Sequence, residues 1–191
     1  MKRILCCLSL LFIFFAGLFA TEELLSFNAG LSSGIPFYSS GSLSEKSEEI
    51  DTDHRVIIGT FANINLNVIK QVTFFTGADI FTDFNWQGKQ YANHLHMSFP
   101  LGVKIYPNLW GFDFGLAYTL GFRSDFLKNE ERSKSNNIAS WGNGFKFLME
   151  YNFAHEGKSK YYPTLGCSWN FMPRGNYSYD NIIAFYIAEN F

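Results

Sequence analysis

Residues 95–106 read LHMSFPLGVKIY, and residues 112–123, shortly after them, read FDFGLAYTLGFR. In both stretches every second residue is apolar, and the residues between are mostly polar, charged or small. Because side chains alternate between the two faces of a β-strand, this period of two predicts strands with one apolar face. The fold is therefore expected to be built from strands that are apolar on one side.

The same alternation recurs, less sharply, in six further stretches, which brings the predicted strands to eight. These stretches lie near residues 25–32, 55–69, 74–81, 141–151, 161–171 and 183–191. The links alternate in length: those near 70–71, 107–109 and 154–160 are short, those at 39–54, 83–93 and 124–137 are long and polar, and 172–178 is intermediate. Eight strands joined in this way predict an all-β, antiparallel up-and-down barrel with its long loops at one end.

Composition bounds the chain to one domain of an ordinary folded protein. The sequence has 191 residues, of which 47% are hydrophobic and only 17% are charged, which excludes a disordered or highly basic chain. Aromatic residues reach 19%, yet mean hydropathy is only −0.03. The apolar residues are therefore spread along the chain instead of being gathered into helical membrane spans.

The first twenty residues, MKRILCCLSLLFIFFAGLFA, have the layout of a secretory signal peptide. We expect cleavage after Ala20, which leaves 21–191 as the barrel domain. The alternative is a short membrane anchor, but the apolar run 4–19 is at the lower limit of the roughly 17–25 residues that a spanning helix needs. Cys6 and Cys7 stand near the start of the apolar run and not at the cleavage site, which disfavours lipidation.

Loss of the leader makes the mature chain acidic. Removal of Lys2 and Arg3 lowers the basic residues from 15 to 13 against 17 acidic ones, a net charge of −4. No basic surface for nucleic acid is predicted. Only Cys167 remains in the mature chain, so an intramolecular disulfide is impossible.

The polar face of the strands is rich in glycine, which suits a crowded interior. A secreted soluble barrel of the lipocalin kind, apolar inside, is the alternative, but its outer face would be hydrated and rich in Lys and Glu. The glycines on the polar face are Gly30, Gly59, Gly77, Gly102, Gly115, Gly121, Gly142, Gly144 and Gly166. This pattern favours a barrel whose apolar face points outward.

Charges on the same polar face are few and balanced in sign. They are Asp79, Lys104, Asp113, Arg123, Lys146 and Glu150. Equal numbers of each sign indicate an internal polar network in the lumen, because a buried charge is tolerated only when it is paired. A turn at 107–110 would place Lys104 directly opposite Asp113. The alternative is that these are solvated surface charges of a soluble barrel.

Two further features bear on the strands. Aromatic residues lie towards the ends of the apolar face, among them Phe112, Trp141 and Tyr151, as in the girdles of membrane barrels.

Pro100 interrupts the fourth strand, and since proline donates no backbone hydrogen bond we expect a bulge or a missing bond there.

The chain ends in a strand with Ile183, Phe185, Ile187 and Phe191 on one face. With the alternation before it, this ending resembles the small eight-stranded bacterial outer-membrane β-barrels, such as the membrane domain of outer-membrane protein A and the X and W types. The resemblance covers 21–191 and implies a transmembrane barrel in the bacterial outer membrane, in contact with lipid. It also implies that these four residues form a signal for the barrel-assembly machinery, although Glu189 departs from the pattern.

Catalytic and metal-binding chemistry is poorly represented. His94, His96 and Ser98, with Asp79 on the preceding strand, only loosely resemble the sites of lipid-modifying outer-membrane enzymes, and a polar lumen accounts for them better. His94 and His96 lack an evident third metal ligand. The acidic residues of loop 39–54 are expected to be solvated and not to form a cation site. We expect no enzyme activity, no cofactor and no metal.

An eight-stranded barrel is about filled by its own side chains, so a largely plugged lumen is expected. A structural or surface-interaction role through loops 39–54, 83–93 and 124–137 follows, because loops on a rigid scaffold carry recognition. The alternative is a narrow conduit for small or apolar molecules, which needs a gap in the lumen packing or a lateral opening between strands.

Overall fold

The structure is a computed structural model that describes residues 24–38, 53–69, 71–128, 136–153, 162–173 and 179–191. These residues form eight antiparallel strands in an up-and-down order that closes into a barrel, as the alternation predicted. The strands are β1 (Leu25–Tyr38), β2 (His54–Ile69), β3 (Val72–Gln87), β4 (Gln90–Leu109), β5 (Phe112–Lys128), β6 (Asn136–Asn152), β7 (Tyr162–Pro173) and β8 (Tyr179–Asn190). The predicted leader, 1–20, lies outside the described residues and stays a prediction.

A two-residue turn lies at each end of the barrel; the end with the β4–β5 turn is called the turn end, and the opposite end is called the loop end. At the turn end, a turn at Trp110 and Gly111 joins β4 to β5, and both residues have positive φ, 51° and 86°. At the loop end, β3 and β4 meet in a turn of Gly88 and Lys89. The prediction of a long loop over 83–93 is therefore wrong: the polar residues there continue both strands, and Gly88 supplies the positive φ of 57° that a two-residue turn needs.

The apolar face points outward around the whole barrel. On β5, Leu116 is 50% exposed and Leu120 is 48% exposed, whereas the intervening Ala117 and Thr119 are 1% exposed. The other seven strands follow the same alternation where their side chains are described. This orientation is the opposite of a lipocalin-like barrel with an apolar interior.

Two interruptions of the hydrogen-bond ladder lie beside Pro100 and along the β1–β2 edge. The β3–β4 register passes from Thr76 opposite Leu101 to Asp79 opposite Ser98, and Pro100 lies in the gap, which confirms the missing bond predicted there. The β1–β2 register ends at Ser32 opposite Gly59, although β1 continues to Tyr38 and β2 begins at His54. No helix in the described part of the chain is long and apolar enough to cross a membrane.

Candidate functional site

The lumen is the candidate site because every buried charged side chain of the described residues points into it. Its contents form layers that can be followed along the inner face of β3 from the turn end. Thr73 is polar, Phe75 is apolar, Asp79 is charged, Phe81 is apolar and Asp83 is charged, and all five are buried. The inner face of this single strand therefore carries polar and apolar side chains at successive levels of the lumen.

Two apolar clusters separate the charged levels. The lower apolar cluster lies nearer the turn end and the upper apolar cluster nearer the loop end. The lower cluster consists of Phe61, Phe75, Ala117, Leu148, Tyr186 and Ala188. The upper cluster consists of Phe81, Ile182 and Ala184, with Ile57 packed against them. Side chains from opposite walls of the barrel thus meet at two levels.

The Lys104–Glu150 pair lies on the turn-end side of the lower apolar cluster. Lys104 Nζ is 2.9 and 2.8 Å from the two carboxylate oxygens of Glu150, and Tyr186 Oη donates to Oε1 of Glu150 at 2.7 Å. Lys104 Nζ also lies 5.4 Å from the centre of the Phe75 ring. Both partners are almost fully buried, so the carboxylate depends on these donors in place of water.

The expected contact between Lys104 and Asp113 is wrong in its register. Lys104 lies opposite Gly115, and Asp113 lies opposite Glu150 on β6. The reason is the hairpin at Trp110 and Gly111, which is followed by a register shift between Ile105 and Leu109. The hairpin at Trp110 and Gly111 by itself would move the pairing by four residues relative to a turn at 107–110, and the shift reverses two of them, so Lys104 lies opposite Gly115.

The second ion pair lies between the two apolar clusters. Lys146 Nζ is 2.7 Å from Oδ2 of Asp79, and Ser98 Oγ donates to the same oxygen at 3.3 Å. Lys146 Nζ also lies 5.6 Å from the centre of the Phe61 ring. Ser98, a member of the enzyme-like set considered in the sequence, therefore donates its hydrogen bond to Asp79, the ion-pair partner of Lys146.

A larger set of polar groups, the mouth network, occupies the loop end of the lumen. Arg123 contributes its Nε to Asp125 at 3.0 Å and its Nη1 to Asp180. His94 Nδ1 lies 2.6 Å from Asp125, and His96 Nδ1 lies 3.6 Å from Asp180. The mouth network consists of Tyr38, Arg55, Asp83, His94, His96, Arg123, Asp125 and Asp180.

The mouth network also bridges the interrupted edge between β1 and β2. Arg55 on β2 donates to both carboxylate oxygens of Asp83, at 2.8 and 2.9 Å. Tyr38 on β1 donates to Asp83 Oδ2 at 3.1 Å and lies 3.2 Å from Nε2 of His96. Side chains therefore connect the two strands where the backbone ladder has ended.

The structure brings the six predicted lumen charges into the barrel interior, all of them buried, but in three separate groups. Lys104 and Asp113 flank Glu150, Lys146 contacts Asp79, and Arg123 belongs to the mouth network. Sequence reasoning missed Arg55, Asp83, Asp125 and Asp180. Each of them lies two residues from another inner-face residue of its strand, and that spacing was the available signal. The polar sequence around them, however, resembled loops.

The four residues of the predicted assembly signal lie on the outer face. Ile183, Phe185, Ile187 and Phe191 are between 41% and 65% exposed. Phe191 also exchanges two backbone hydrogen bonds with Phe27, at 3.0 and 2.8 Å, so the C-terminus pairs with β1. Among the described residues, no group of three or more His, Cys, Asp or Glu side chains is arranged to hold a metal ion.

The barrel has the fold of small outer-membrane barrels of known structure. No protein-family model and no curated protein matches the sequence. The chain is similar to Ail, the attachment invasion locus protein of Yersinia pestis, with a TM-score of 0.57 and 6% identity over 87% of this chain and 97% of that one. It is also similar to Neisserial surface protein A, with a TM-score of 0.50 and 9% identity over 88% of this chain and 95% of that one. Both are eight-stranded outer-membrane barrels, and at these identities the likeness is one of fold.

Proposed function

We propose that this chain is an integral protein of the bacterial outer membrane, exported by the leader 1–20, with a plugged lumen and a surface-interaction role at its loop end. The observation that carries the proposal is the apolar outer face. Large apolar side chains are exposed on all eight strands, whereas soluble monomers rarely expose an apolar patch of more than a few hundred Å². The buried charges lie inside, where lipid does not reach them.

The lumen contents support a plugged barrel over an open pore. The lower and upper apolar clusters each join side chains of several strands, and the mouth network fills the loop end with paired charges. A solute would have to displace packed apolar groups and buried ion pairs in turn. We assign no catalytic role to His94, His96 or Ser98.

The loop end supports surface interaction. The β5–β6 register extends to Leu127 opposite Asn136, whereas the β7–β8 register ends at Pro173 opposite Tyr179. The β6–β7 register begins only at Phe145, so in the described part of the chain β6 extends well beyond its β7 neighbour. Strands that extend beyond their neighbours and carry loops form a rigid platform for recognition. The loops concerned are 39–53 and 129–135, together with the tip of the β3–β4 hairpin.

Fractionation and gel migration test the membrane part of this proposal. We expect the mature protein in the outer-membrane fraction, with different migration before and after boiling. A short epitope inserted into loop 39–53 should be stained on intact cells, and the same epitope at the turn of Trp110 and Gly111 should be stained only after permeabilisation. Recovery as a freely soluble periplasmic protein would contradict the proposal.

A narrow conduit with a lateral opening is the second candidate, favoured by the interrupted β1–β2 edge. Apolar side chains flank this edge on its outer side, with Ile35 54% exposed on β1 and Val56 47% exposed on β2, and Ile57 of the upper apolar cluster lies behind it. A disulfide between Ser33→Cys and Ile58→Cys, in a Cys167→Ser background, would close the edge. The conduit predicts slower uptake of an apolar dye after oxidation, and equal uptake in both states would reject it.

A further inference from the structure

Between the two apolar clusters the lumen contains a cavity lined by unpartnered polar atoms. It has about 30 Å³ of free space and is lined by Asn63, Asp79 and Asn170, among others. The side-chain oxygens Asn63 Oδ1, Asp79 Oδ1 and Asn170 Oδ1 are buried and have no hydrogen-bond partner among the described residues. Asn63 is 5% exposed and Asp79 is 8% exposed, so bulk solvent does not reach them freely.

A second cavity lies between the first one and the mouth network. It has about 20 Å³ of free space and is lined by His96, Ser98, Met172 and Asp180, among others. Asn170 and Ile182 line both cavities. The two cavities are therefore neighbours along the barrel, and Asn170 stands at their junction.

The three unpartnered atoms share one chemical property, which is that each of them only accepts hydrogen bonds. An occupant must therefore donate. The charges around the first cavity are already balanced, because Asp79 contacts Lys146 and Glu150 contacts Lys104. A cation would add an uncompensated charge, whereas water supplies two donors without any charge.

The size of the cavities fits the same occupant. One water molecule needs at least about 10–15 Å³ of such free space and two to four polar partners. The first cavity is large enough for about two water molecules, and the second for about one, on that measure. Both offer polar partners, unlike a dry apolar void.

We propose that these two cavities bind a short file of water molecules, which connects the His96 and Asp180 side of the mouth network to the Asp79–Lys146 pair through Asn170. The file satisfies the three orphaned acceptors. It also gives the centre of the lumen a hydrogen-bonded connection to the mouth network at the loop end.

X-ray hydroxyl-radical footprinting of the mature protein, folded in detergent micelles, tests the proposal, because radiolysis of a bound water modifies the side chains beside it. Phe61, Phe81 and Phe75 are matched in chemistry and all are buried, but only Phe61 and Phe81 line the first cavity. We expect Phe61 and Phe81 to be modified several-fold faster than Phe75. Rates for Phe61 and Phe81 as low as that of Phe75 would overturn the proposal.

An Asn170→Leu variant tests the junction. Leucine removes one acceptor and fills space at the shared wall, so modification of Phe61 and Met172 should fall several-fold. Thr119→Val is the matched control, since Thr119 Oγ1 is also buried and unpartnered in the described structure but lines neither cavity. Unchanged modification in folded, heat-modifiable Asn170→Leu protein would contradict the file, as would an equal loss in Thr119→Val. The wild-type comparison of Phe61 with Phe75 decides the matter if the variant fails to fold.

Discussion

The Lys104–Glu150 pair provides a quantitative test of the lumen. Substitution Lys104→Met removes the cation and leaves the Glu150 carboxylate buried with Tyr186 as its remaining donor. Asp113, which lies opposite Glu150 in the register, then adds a second carboxylate without its nearby lysine. The variant should therefore be strongly destabilised.

The expected loss follows from burial. The side chains of Lys104 and Glu150 are 3% and 6% exposed, so screening by solvent is weak. Removing one partner of a buried ion pair costs about 3–5 kcal/mol, because an uncompensated charge remains. The neutral Glu150→Gln substitution removes that charge, and its amide oxygen still accepts from Tyr186. Adding Glu150→Gln to Lys104→Met should consequently restore part of the lost stability.

Urea titration of the protein folded in lipid vesicles, followed by tryptophan fluorescence, measures these free energies of unfolding. The control is Lys128→Met, which changes a partly exposed lysine at the loop end and should cost no more than about 0.5 kcal/mol. Glu150→Gln alone should destabilise the protein, yet stabilise it in the Lys104→Met background. A loss from Lys104→Met as small as that of the control, or a double variant less stable than Lys104→Met, would refute the buried pair.

Three further predictions concern packing, lipid contact and permeation. Gly166→Ala should lose about 1–3 kcal/mol in the same titration, because the new methyl group would meet the Tyr186 ring; a neutral result would contradict this close contact. Leu116→Arg on the outer face should cost about 2–4 kcal/mol, while Phe112→Arg near the turn end should cost only about 0–1 kcal/mol; equal losses would contradict the assigned depths. Planar-bilayer recordings should show no sustained conductance, and long-lived openings would contradict a plugged lumen.

Where the alternation was sharp, it predicted which charged residues of a strand face the lumen. Asp79, Lys104 and Glu150 were assigned to the polar faces of their strands, and all three are buried in the interior. Side chains alternate between the two faces along a strand, so the assigned faces survived a register error of two residues, whereas a slip of one residue would have reversed them.

The ion-pair partner of a lumen residue was harder to predict than the strand face on which the residue lies. The partner depends on the pairing register of the strands and on how far a side chain reaches across the barrel. The hairpin at Trp110 needs a positive φ at a residue other than glycine, which no turn motif in the sequence indicated. Lys104 contacts Glu150 two strands away, and Lys146 crosses the lumen to Asp79. Long side chains in a narrow barrel are not limited to the adjacent strand.

The mouth network was missed because loop-like composition concealed strand extensions. Asp83 and Asp125 stand in polar stretches that single-sequence patterns assign to loops, yet both continue the inner-face parity of β3 and β5. Pairing between long neighbouring strands sustains these extensions, and such pairing is a property of the whole sheet.

A spin-label scan of β5 tests directly whether the apolar face of the barrel contacts lipid. Single cysteines at residues 113–121, in a Cys167→Ser background and in lipid vesicles, would report collision with dissolved oxygen. We expect high accessibility to oxygen at Phe114, Leu116, Tyr118 and Leu120 and low accessibility at the residues between them. A reversed alternation, or labels at the four apolar positions that a water-soluble nickel chelate reaches more readily than oxygen, would contradict it.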